Sequence, residues 1–401
     1  MNNKRWRLAQ LTFYGWIAFQ TIAMAGYNDM MDFSWNLVGI KITVYAAILA
    51  LALLFSIFGL ITQWNLSEDP NRLIIVAIVV YTLYQCIVVL PLSLSAKMTL
   101  PPNVVDYFAL RFQVLMIPFL YWFVLPSFRK NDSAIKLLCY SSLIPLGSAM
   151  FDLSRGIVGH TDNGELRLLW GGVSLLYAFV LITNLRFFSH TKTNFFLAVV
   201  AGVGLTLANH RSAYLVIAFL IIVVLLVSNR GSSRLPGITS LGIGVLLVVA
   251  VLISVPSLWE SFLSRLSTSL DTNDINAVGR LSRWELSWTF FLSNPLNGSM
   301  LSYQYYGVQL RDNFPPHNFV FELLTTEGVV GTMFYLLLIF WIARIAFSHR
   351  WDQTMWQMFL AIIFYVGFCL FNTNFLGPWN FLEFALPCSM VMFRHQCLTS
   401  D

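Results

Sequence analysis

The sequence predicts an all-α polytopic membrane protein with about 12 transmembrane helices and one large outward loop at residues 258–317. Two observations support this fold class. First, 57% of the 401 residues are hydrophobic and only 11% are charged. The mean hydropathy of +0.70 agrees, because a chain of this composition has too little polar surface to cover a soluble protein. Second, the apolar residues form long runs separated by polar connections, and about 20 helical residues cross the hydrocarbon core of a bilayer.

The apolar runs define the predicted spans, of which the first is the weakest. The long polar stretch between the ninth and the tenth run is the predicted loop, 258–317. In chain order, the predicted spans are 9–25, 37–62, 73–95, 108–125, 136–153, 167–184, 194–208, 213–228, 240–257, 318–346, 355–372 and 374–393.

The positions of lysine and arginine predict the orientation. Cytoplasmic connections of membrane proteins carry an excess of these residues, and here alternate connections are basic. The opposite connections, such as 26–29 and 371–374, are neutral or acidic. We therefore expect both termini in the cytoplasm and the loop outside, in the periplasm of a cell with two membranes. The basic connections contain Arg5, Arg129 with Lys130, Arg186 with Lys192, Arg230 with Arg234, Arg350 and Arg394.

The composition argues against several other classes of protein. The net charge of +5 comes from short clusters between apolar runs, as orientation signals do, so we expect no nucleic-acid partner. The five cysteines lack the spacing of a metal site or a disulfide framework. We see no internal repeat and no soluble domain, so residues 1–401 are predicted to form a single integral membrane domain. The cysteines are Cys86, Cys139, Cys369, Cys388 and Cys397.

Three arginines on the predicted outer side are candidate anion ligands. Arg211 lies in a short turn between two apolar runs, whereas Arg280 and Arg283 lie within the loop. A guanidinium group stays charged, and its planar fork matches phosphate oxygens. Contact with lipid phosphates by snorkelling is the alternative, and for Arg265 and Arg311 of the same loop it is the preferred interpretation.

The part of the loop around Arg280 is predicted to be an amphipathic helix in the membrane interface. At helical spacing its residues fall on two stripes. Arg280, Arg283 and Ser287 share the polar stripe, which we expect to face a polar cavity. The apolar stripe contains Leu281, Trp284, Trp288 and Phe291.

His317 is the candidate general base. It is the only histidine of the loop, and it directly precedes an apolar span. A neutral imidazole, with a pKa of about 6.5, can accept a proton from a hydroxyl group. An interfacial or N-capping histidine is the alternative. Glu322 could reach the same cavity, and Glu327 could instead cap a helix broken at Gly328.

Two further residues are candidate substrate contacts. Arg167 lies at the start of a predicted span, where a cation usually faces a cavity or a partner. Tyr305 lies between the arginines and His317, where its ring could stack on a sugar, although tyrosines are common at any membrane interface.

Four short motifs follow one another within residues 279–331. Together their order, spacing and side of the membrane resemble the O-antigen ligase and O-antigen polymerase superfamily of bacterial surface-polysaccharide enzymes. The multi-span layout with one long outward loop is similar too, so the fold is expected to resemble GT-C-type glycosyltransferases. The motifs are Gly279-Arg280-x-x-x-Trp284, Asn294-Pro295-x-x-Gly298, Pro316-His317-Asn318 and Glu327-Gly328-x-x-Gly331.

The resemblance implies a metal-independent, inverting glycosyltransferase of the bacterial inner (cytoplasmic) membrane that needs no cofactor. Its donor would be an undecaprenyl-diphosphate-linked oligosaccharide, and its other partners would be membrane lipid and a chain-length regulator or a lipid A-core acceptor. The implied catalytic residues are His317, Arg280 and Arg211, with the arginines on the donor diphosphate and the histidine as base or acceptor-orienting group. The expected substrate-binding residues are Arg283, Arg167, Trp284 and Tyr305.

Three functions remain open at this stage. A polymerase that extends lipid-linked repeat units is slightly favoured over a ligase, because the 36 residues between Arg280 and His317 form a compact connection. A polysaccharide transporter or flippase would also suit many spans and a cationic cavity. Against a transporter, the sequence lacks a detectable repeat and paired broken segments, and its polar residues cluster in one loop.

Overall fold

Helices make up nearly all of the described part of the chain in this computed structural model, as the sequence predicts. The described residues are 3–25, 34–37, 40–62, 69–89, 112–128, 132–155, 173–184, 192–208, 275–298, 318–371 and 381–400, with the single residues 91, 169, 218 and 260.

The elements are numbered here in chain order. The irregular segment Gln113–Ser127 passes through 3-10, α and π turns. The α-helix Arg72–Tyr84 continues directly as the π-helix Gln85–Val89. The elements are α1 (Asn3–Met24), β1 (Ser34–Leu37), β2 (Ile40–Thr43), α2 (Val44–Thr62), α3 (Arg72–Tyr84), α4 (Asp132–Ser141), α5 (Leu143–Ser154), α6 (Val173–Asn184), α7 (Lys192–Ala208), α8 (Ile275–Ser293), α9 (Phe319–Ser348), α10 (Gln353–Phe371) and α11 (Leu382–Ser400).

A short hairpin adds to the predicted all-helical fold. Strands β1 and β2 pair antiparallel, with Ser34 opposite Thr43. The β-branched residues of Ile40–Thr43 favour an extended backbone. The predicted span 37–62 therefore becomes helical only at Val44.

Four described helices are long and apolar enough to cross a membrane. Each coincides with a predicted span. The predicted spans 213–228 and 240–257 lie outside the described residues, so the total of about 12 stays a prediction. The four are Arg72–Val89 (α3 with the π-helix), Ser133–Asp152 (α4 with α5), Phe319–Ser348 and Gln353–Phe371. Shorter apolar helices cover Ala47–Thr62, Gln113–Ser127, Val173–Asn184 and Lys192–Ala208.

The chain forms two compact units, and α1 contributes to both. The single integral membrane domain over residues 1–401 stays a prediction. Unit 1 contains α2, α3 and α8–α11, and unit 2 contains α4–α7. Unit 1 comprises Met1–Trp16, Met31–Asn131 and Ile275–Asp401, and unit 2 comprises Ile17–Met30 and Asp132–Asp274.

Hydroxyl groups satisfy main-chain carbonyls where helices of unit 1 pack. Ser56 of α2 donates a hydrogen bond to the Leu115 carbonyl at 2.8 Å, and Ser389 of α11 donates to the Ile117 carbonyl at 2.9 Å. Both acceptors lie in the irregular segment Gln113–Ser127, where the turns change type. Backbone groups within a membrane need internal partners, so these serines make the irregular turns tolerable.

In unit 2, α6 and α7 pack closely. The Tyr177 ring of α6 lies directly against Gly204 of α7, where a Cβ atom would overlap it. The Tyr177 hydroxyl donates to the Ser142 carbonyl at 3.0 Å, which ties α6 to the junction of α4 and α5. Helix α7 ends at Ala208, three residues before Arg211.

Two connections that the basic residues place on one side of the membrane meet at one end of unit 1. Arg394, near the end of α11, donates to Asp352 between α9 and α10 at 2.7 Å. Asp352 also caps α10 by accepting the Met355 N–H at 3.0 Å. This contact agrees with the predicted orientation of α9, α10 and α11.

His395 joins the same end of unit 1 to the start of α3. Its Nδ1 lies 3.1 Å from the Asn71 Oδ1, and its ring meets the His349 ring at a centroid distance of 5.3 Å. Burial and the nearby His349 lower the pKa of His395, while Asp69 opposes that shift. The folded protein therefore favours the neutral imidazole.

We expect this histidine to make the protein less stable in acid. An unfolded histidine has a pKa of about 6.5, so the unfolded state binds more protons than the folded state as pH falls below that value. The unfolding temperature in detergent should decrease as pH is lowered from about 7 through this range, and less so in His395→Gln. An identical pH dependence in both proteins would contradict the assignment.

Candidate functional site

Two of the four motifs pack against each other. The segment 294–298, which follows α8, lies against a break in α9. The N–H of Val329 donates to the Pro295 carbonyl at 2.8 Å, and the N–H of Val330 donates to the Leu296 carbonyl at 3.3 Å. The structure thus brings together residues about 30 positions apart in the sequence.

The break in α9 lies at Gly328. Its backbone has φ 65° and ψ −168°, a conformation that only glycine adopts readily. A helix that restarts after such a residue has unpaired N–H groups in its first turn. The carbonyls of Pro295 and Leu296 bind two of these groups, so the segment 294–298 acts as a main-chain cap.

Close approach of the two main chains explains the glycine in each motif. Gly298 also has a φ of 65°. A Cβ atom on Gly298 would lie 2.5 Å from the Gly328 nitrogen, and a Cβ atom on Gly328 would overlap the Leu296 carbonyl oxygen. Any side chain at either position would separate the cap from the break.

Glu327, directly before the break, is almost fully buried, with 1% of its surface exposed. Its Oε2 accepts a hydrogen bond from the Tyr81 hydroxyl at 2.5 Å and another from the Gln85 Nε2 at 3.0 Å. A Cβ atom on Gly331 would overlap the Glu327 side chain, so this glycine makes room for the carboxylate. Glu327 therefore binds α3, and the cap considered for it in the sequence is formed by main-chain carbonyls.

A second clamp joins α3 to the cap. The Tyr84 hydroxyl donates to the Asn297 Oδ1. Tyr84 and Asn297 were not predicted as site residues, and neither were Tyr81 and Gln85. A glutamine inside an apolar span is the one signal that could have pointed to this position, because polar residues within membranes usually have a partner.

Asn318 begins α9 and is its N-cap. Its Oδ1 accepts the N–H of Val320 at 2.9 Å and that of Phe321 at 3.3 Å. Asparagine is among the preferred N-cap residues because its short side chain reaches these groups. The capping role considered for His317 therefore belongs to its neighbour, Asn318.

Helix α8 packs on the first turn of α9. The Trp284 ring stacks on Phe321 with a centroid distance of 5.5 Å and an interplanar angle of 19°. Ser287 and Phe291 are buried on the same side of α8. The side of α8 that bears these residues is therefore the one turned towards protein.

The prediction that one apolar stripe of α8 lies in the membrane interface is wrong in part. Leu281 is 59% exposed and Trp288 is 48% exposed, whereas Trp284 and Phe291 pack with Ser287 of the predicted polar stripe. The reason is that α9 offers an aromatic surface at Phe321, so the packed face of α8 is itself partly apolar. The exposed face, with Leu281 and Trp288, suits a membrane interface.

The structure describes only part of the predicted site. Arg283 is half-buried on α8, and Arg280 occupies the same helix, one turn before Trp284. The side chain of Arg280 lies outside the described residues. His317, Arg211, Arg167 and Tyr305 also lie outside them.

The described residues contain no group of three or more His, Cys, Asp or Glu side chains that could hold a metal ion.

The comparison with protein families agrees with the motifs. Residues 196–336 match the family model described as O-antigen ligase. The resemblance to the O-antigen ligase and polymerase superfamily is confirmed. The matched segment includes all four motifs, together with Arg211, Arg280 and His317, whereas Arg167 precedes it. A comparison with curated proteins found no match.

We expect Gly328→Ala to disrupt the junction between the segment 294–298 and α9. Alanine at a φ of 65° costs about 1–3 kcal/mol in backbone strain, and its Cβ would overlap the Leu296 carbonyl. The unfolding temperature in detergent and the activity should both fall. Gly15→Ala is the matched control, because nothing lies within 4 Å of a Cβ atom there. Equal behaviour of the two variants would show that the break does not matter.

Proposed function

We propose that this multi-pass membrane protein is a glycosyltransferase of bacterial surface-polysaccharide assembly that polymerises repeat units from an undecaprenyl-diphosphate-linked glycan donor. The observation that carries the proposal is the family match over residues 196–336, which contains Arg211, Arg280 and His317. The close packing of two of its motifs at Gly298 and Gly328 supports it. The location proposed with this function is the inner membrane, with both termini in the cytoplasm.

The proposed reaction is the attack of a sugar hydroxyl on the anomeric carbon of the donor, with inversion. The carbon–oxygen bond to the lipid diphosphate breaks, and its electron pair leaves with the diphosphate. Arg280 and Arg211 are proposed to bind this growing negative charge, because a guanidinium group donates two parallel hydrogen bonds to phosphate oxygens. A metal ion is then not required.

The main-chain cap of α9 is relevant to this chemistry. Helix N-termini commonly bind phosphate through free N–H groups. At the break in α9 the carbonyls of Pro295 and Leu296 already accept hydrogen bonds from Val329 and Val330. This makes the arginines, and not the restarted helix, the better candidates for the diphosphate.

His317 is proposed to remove the proton from the attacking hydroxyl group. In the sequence it directly precedes Asn318, the residue that caps α9. Arg283 and Trp284 of α8, together with Arg167 and Tyr305, are proposed substrate contacts. The stack of Trp284 on Phe321 links the arginine-bearing helix to the helix that follows His317.

A ligase that transfers the glycan to lipid A-core is the second candidate. The observation that favours it is the description of the matching family model as O-antigen ligase. The 36 residues between Arg280 and His317 favour the polymerase, in which the acceptor is another lipid-linked glycan. Reconstitution with lipid-linked repeat units alone tests the choice, because only a polymerase would lengthen them without a lipid A-core acceptor.

Arg280→Lys should abolish most glycan transfer, although it keeps the charge. A lysine ammonium is a point charge and cannot form the bidentate contact with a diphosphate. The measurement is the amount and length of polysaccharide made by purified protein in liposomes. Arg311→Lys, elsewhere in the loop, is the control and should retain transfer. Wild-type polysaccharide from the Arg280 variant would disprove the diphosphate role.

His317→Ala should retain donor binding but reduce turnover by about 10²–10⁴-fold, the usual contribution of a positioned acid or base. Donor binding is retained because it is assigned to Arg211 and Arg280. Single-turnover rates and donor affinity, measured on the same preparation, separate the two effects. Near wild-type turnover in a well-expressed variant would leave the arginines as the only catalytic groups.

A further inference from the structure

The helix α8 runs parallel to α9 and in the same direction. In the middle of α8, Trp284 stacks on Phe321 of the first turn of α9. Just beyond the end of α8, the Pro295 carbonyl accepts the Val329 N–H at 2.8 Å. Between the first contact and the second, the chain advances by eleven residues on the side of α8 and by eight on α9. The two stretches therefore lie side by side over this whole distance.

This course carries the end of α8 to the depth of two membrane spans. The helix α9 is long and apolar enough to cross a membrane, and so is α3 with its π-helix. In the predicted orientation the first turn of α9 lies on the outer side, so α8 points from that side towards the bilayer centre. The Tyr84 hydroxyl donates to Asn297, and Tyr84 lies twelve residues after the start of α3, which is about 18 Å of helix. The segment 294–298 is thus held between two spans.

We propose that residues 286–298 form a re-entrant element in the outer leaflet, and that Leu292 and Leu296 contact the acyl chains of membrane lipid. The chain enters the leaflet along α8 and is again at the outer end of a span at Asn318, where α9 begins. Part of the loop predicted to lie outside the membrane, 258–317, is then inside it. This insertion is independent of the proposed reaction and goes beyond it.

The distribution of charge along α8 agrees with insertion of its second half. Arg280, Arg283 and Glu285 lie in the first half, whereas residues 286–298 contain no charged side chain. A charged side chain within the hydrocarbon core is costly. Nine residues separate Arg283 from Leu292, which is about 14 Å of helix. The charged end of α8 can therefore stay in water while the uncharged end reaches the acyl chains.

The exposed side chains of α8 follow the same order. Trp288 is 48% exposed, and further along the chain Leu292 is 59% and Leu296 is 64% exposed. Tryptophan is enriched at membrane–water interfaces, whereas leucine suits the hydrocarbon core. Both neighbouring spans also expose large apolar side chains close in sequence to their contacts with this element, Ile87 on α3 and Val330 on α9. The leucines therefore extend the surface that these spans turn towards lipid.

The polar groups of the element have the internal partners that hydrocarbon requires. The exposed hydroxyl groups of Thr289 and Ser293 donate to main-chain carbonyls of α8 itself, at 3.0 and 2.6 Å. Irregular backbone at membrane depth is tolerated where it packs on protein. The segment 294–298 meets this condition, because Gly298 lies directly against Gly328 of α9.

Nitroxide spin labels on single cysteines can measure the depth of α8. The background is Cys86→Ser with Cys397→Ser, which removes the two cysteines that are not buried. Labels are attached to Leu281→Cys, Leu292→Cys and Leu296→Cys in liposomes. All three leucines are exposed, so the substitutions remove no packed side chain. Collisions of the label with oxygen, which concentrates in hydrocarbon, are compared with collisions with a water-soluble nickel complex.

Two further labels serve as references. Leu337→Cys, on α9, is the reference for lipid, because Leu337 is 55% exposed within a span. Thr399→Cys, exposed near the end of α11, is the reference for water. We expect the ratio of oxygen to nickel collisions to rise from Leu281 through Leu292 to Leu296, where it approaches the lipid reference. A label at Leu296 that meets nickel as often as the water reference overturns the proposal. A label there that meets neither reagent also overturns it, because protein would then cover this face.

Leu292→Gln tests the same contact by stability, with Leu281→Gln as the matched control. Both leucines lie on α8 and are 59% exposed, and glutamine is close to leucine in helix propensity. A side-chain amide without a partner is costly in hydrocarbon but not in water. We therefore expect Leu292→Gln to lower the unfolding temperature in lipid nanodiscs by several degrees and Leu281→Gln to leave it nearly unchanged. Equal unfolding temperatures would refute the insertion. Neither measurement depends on glycan transfer, so the proposed function could fail while the insertion of α8 stands.

Discussion

A helix broken inside a membrane must find new partners for the N–H groups that the break leaves unpaired, and in this protein α9 meets that requirement at Gly328. The hydrocarbon core of a bilayer offers no hydrogen-bond acceptors, so within it the partners have to come from protein. The carbonyls of Pro295 and Leu296 supply them at 2.8 and 3.3 Å. The end of the helix α8 and the middle of the helix α9 are thereby joined by main-chain contacts.

Several other features follow from this junction. Gly298 and Gly328 are glycines because the two main chains approach too closely for a Cβ atom, and Gly331 leaves space for the Glu327 carboxylate. The buried carboxylate in turn needs donors, which Tyr81 and Gln85 of α3 provide. A backbone irregularity at one residue thus connects three helices and two motifs.

The junction also bears on how a diphosphate would be bound. A restarted helix has a partial positive charge at its N-terminus, but in α9 main-chain carbonyls already occupy it. Main-chain hydrogen bonds therefore maintain the junction of the segment 294–298 with α9, while the proposed diphosphate ligands are arginines. This division suits a reaction in which charge develops on a leaving group at the membrane surface.

The sequence by itself determined the membrane class, most of the described helix positions and the resemblance to the superfamily. These properties depend on local composition and on short motifs: an apolar run such as 355–372 spans a bilayer whatever its neighbours are, and the helix α10 is found at Gln353–Phe371. The order of the motifs singled out their glycines, but the close main-chain contacts that require glycine at these positions could not be predicted from the sequence.

Only the tertiary structure decided which residues serve as partners across distant segments. Tyr81, Tyr84 and Gln85 stand in an ordinary apolar span, and their role depends on acceptors more than 200 positions away. The prediction for α8 was wrong in part for a related reason: periodicity separates polar from apolar faces, but whether Trp284 or Trp288 packs on protein depends on where Phe321 lies. Local pattern specifies a helix, whereas the identity of its neighbours is a property of the folded chain.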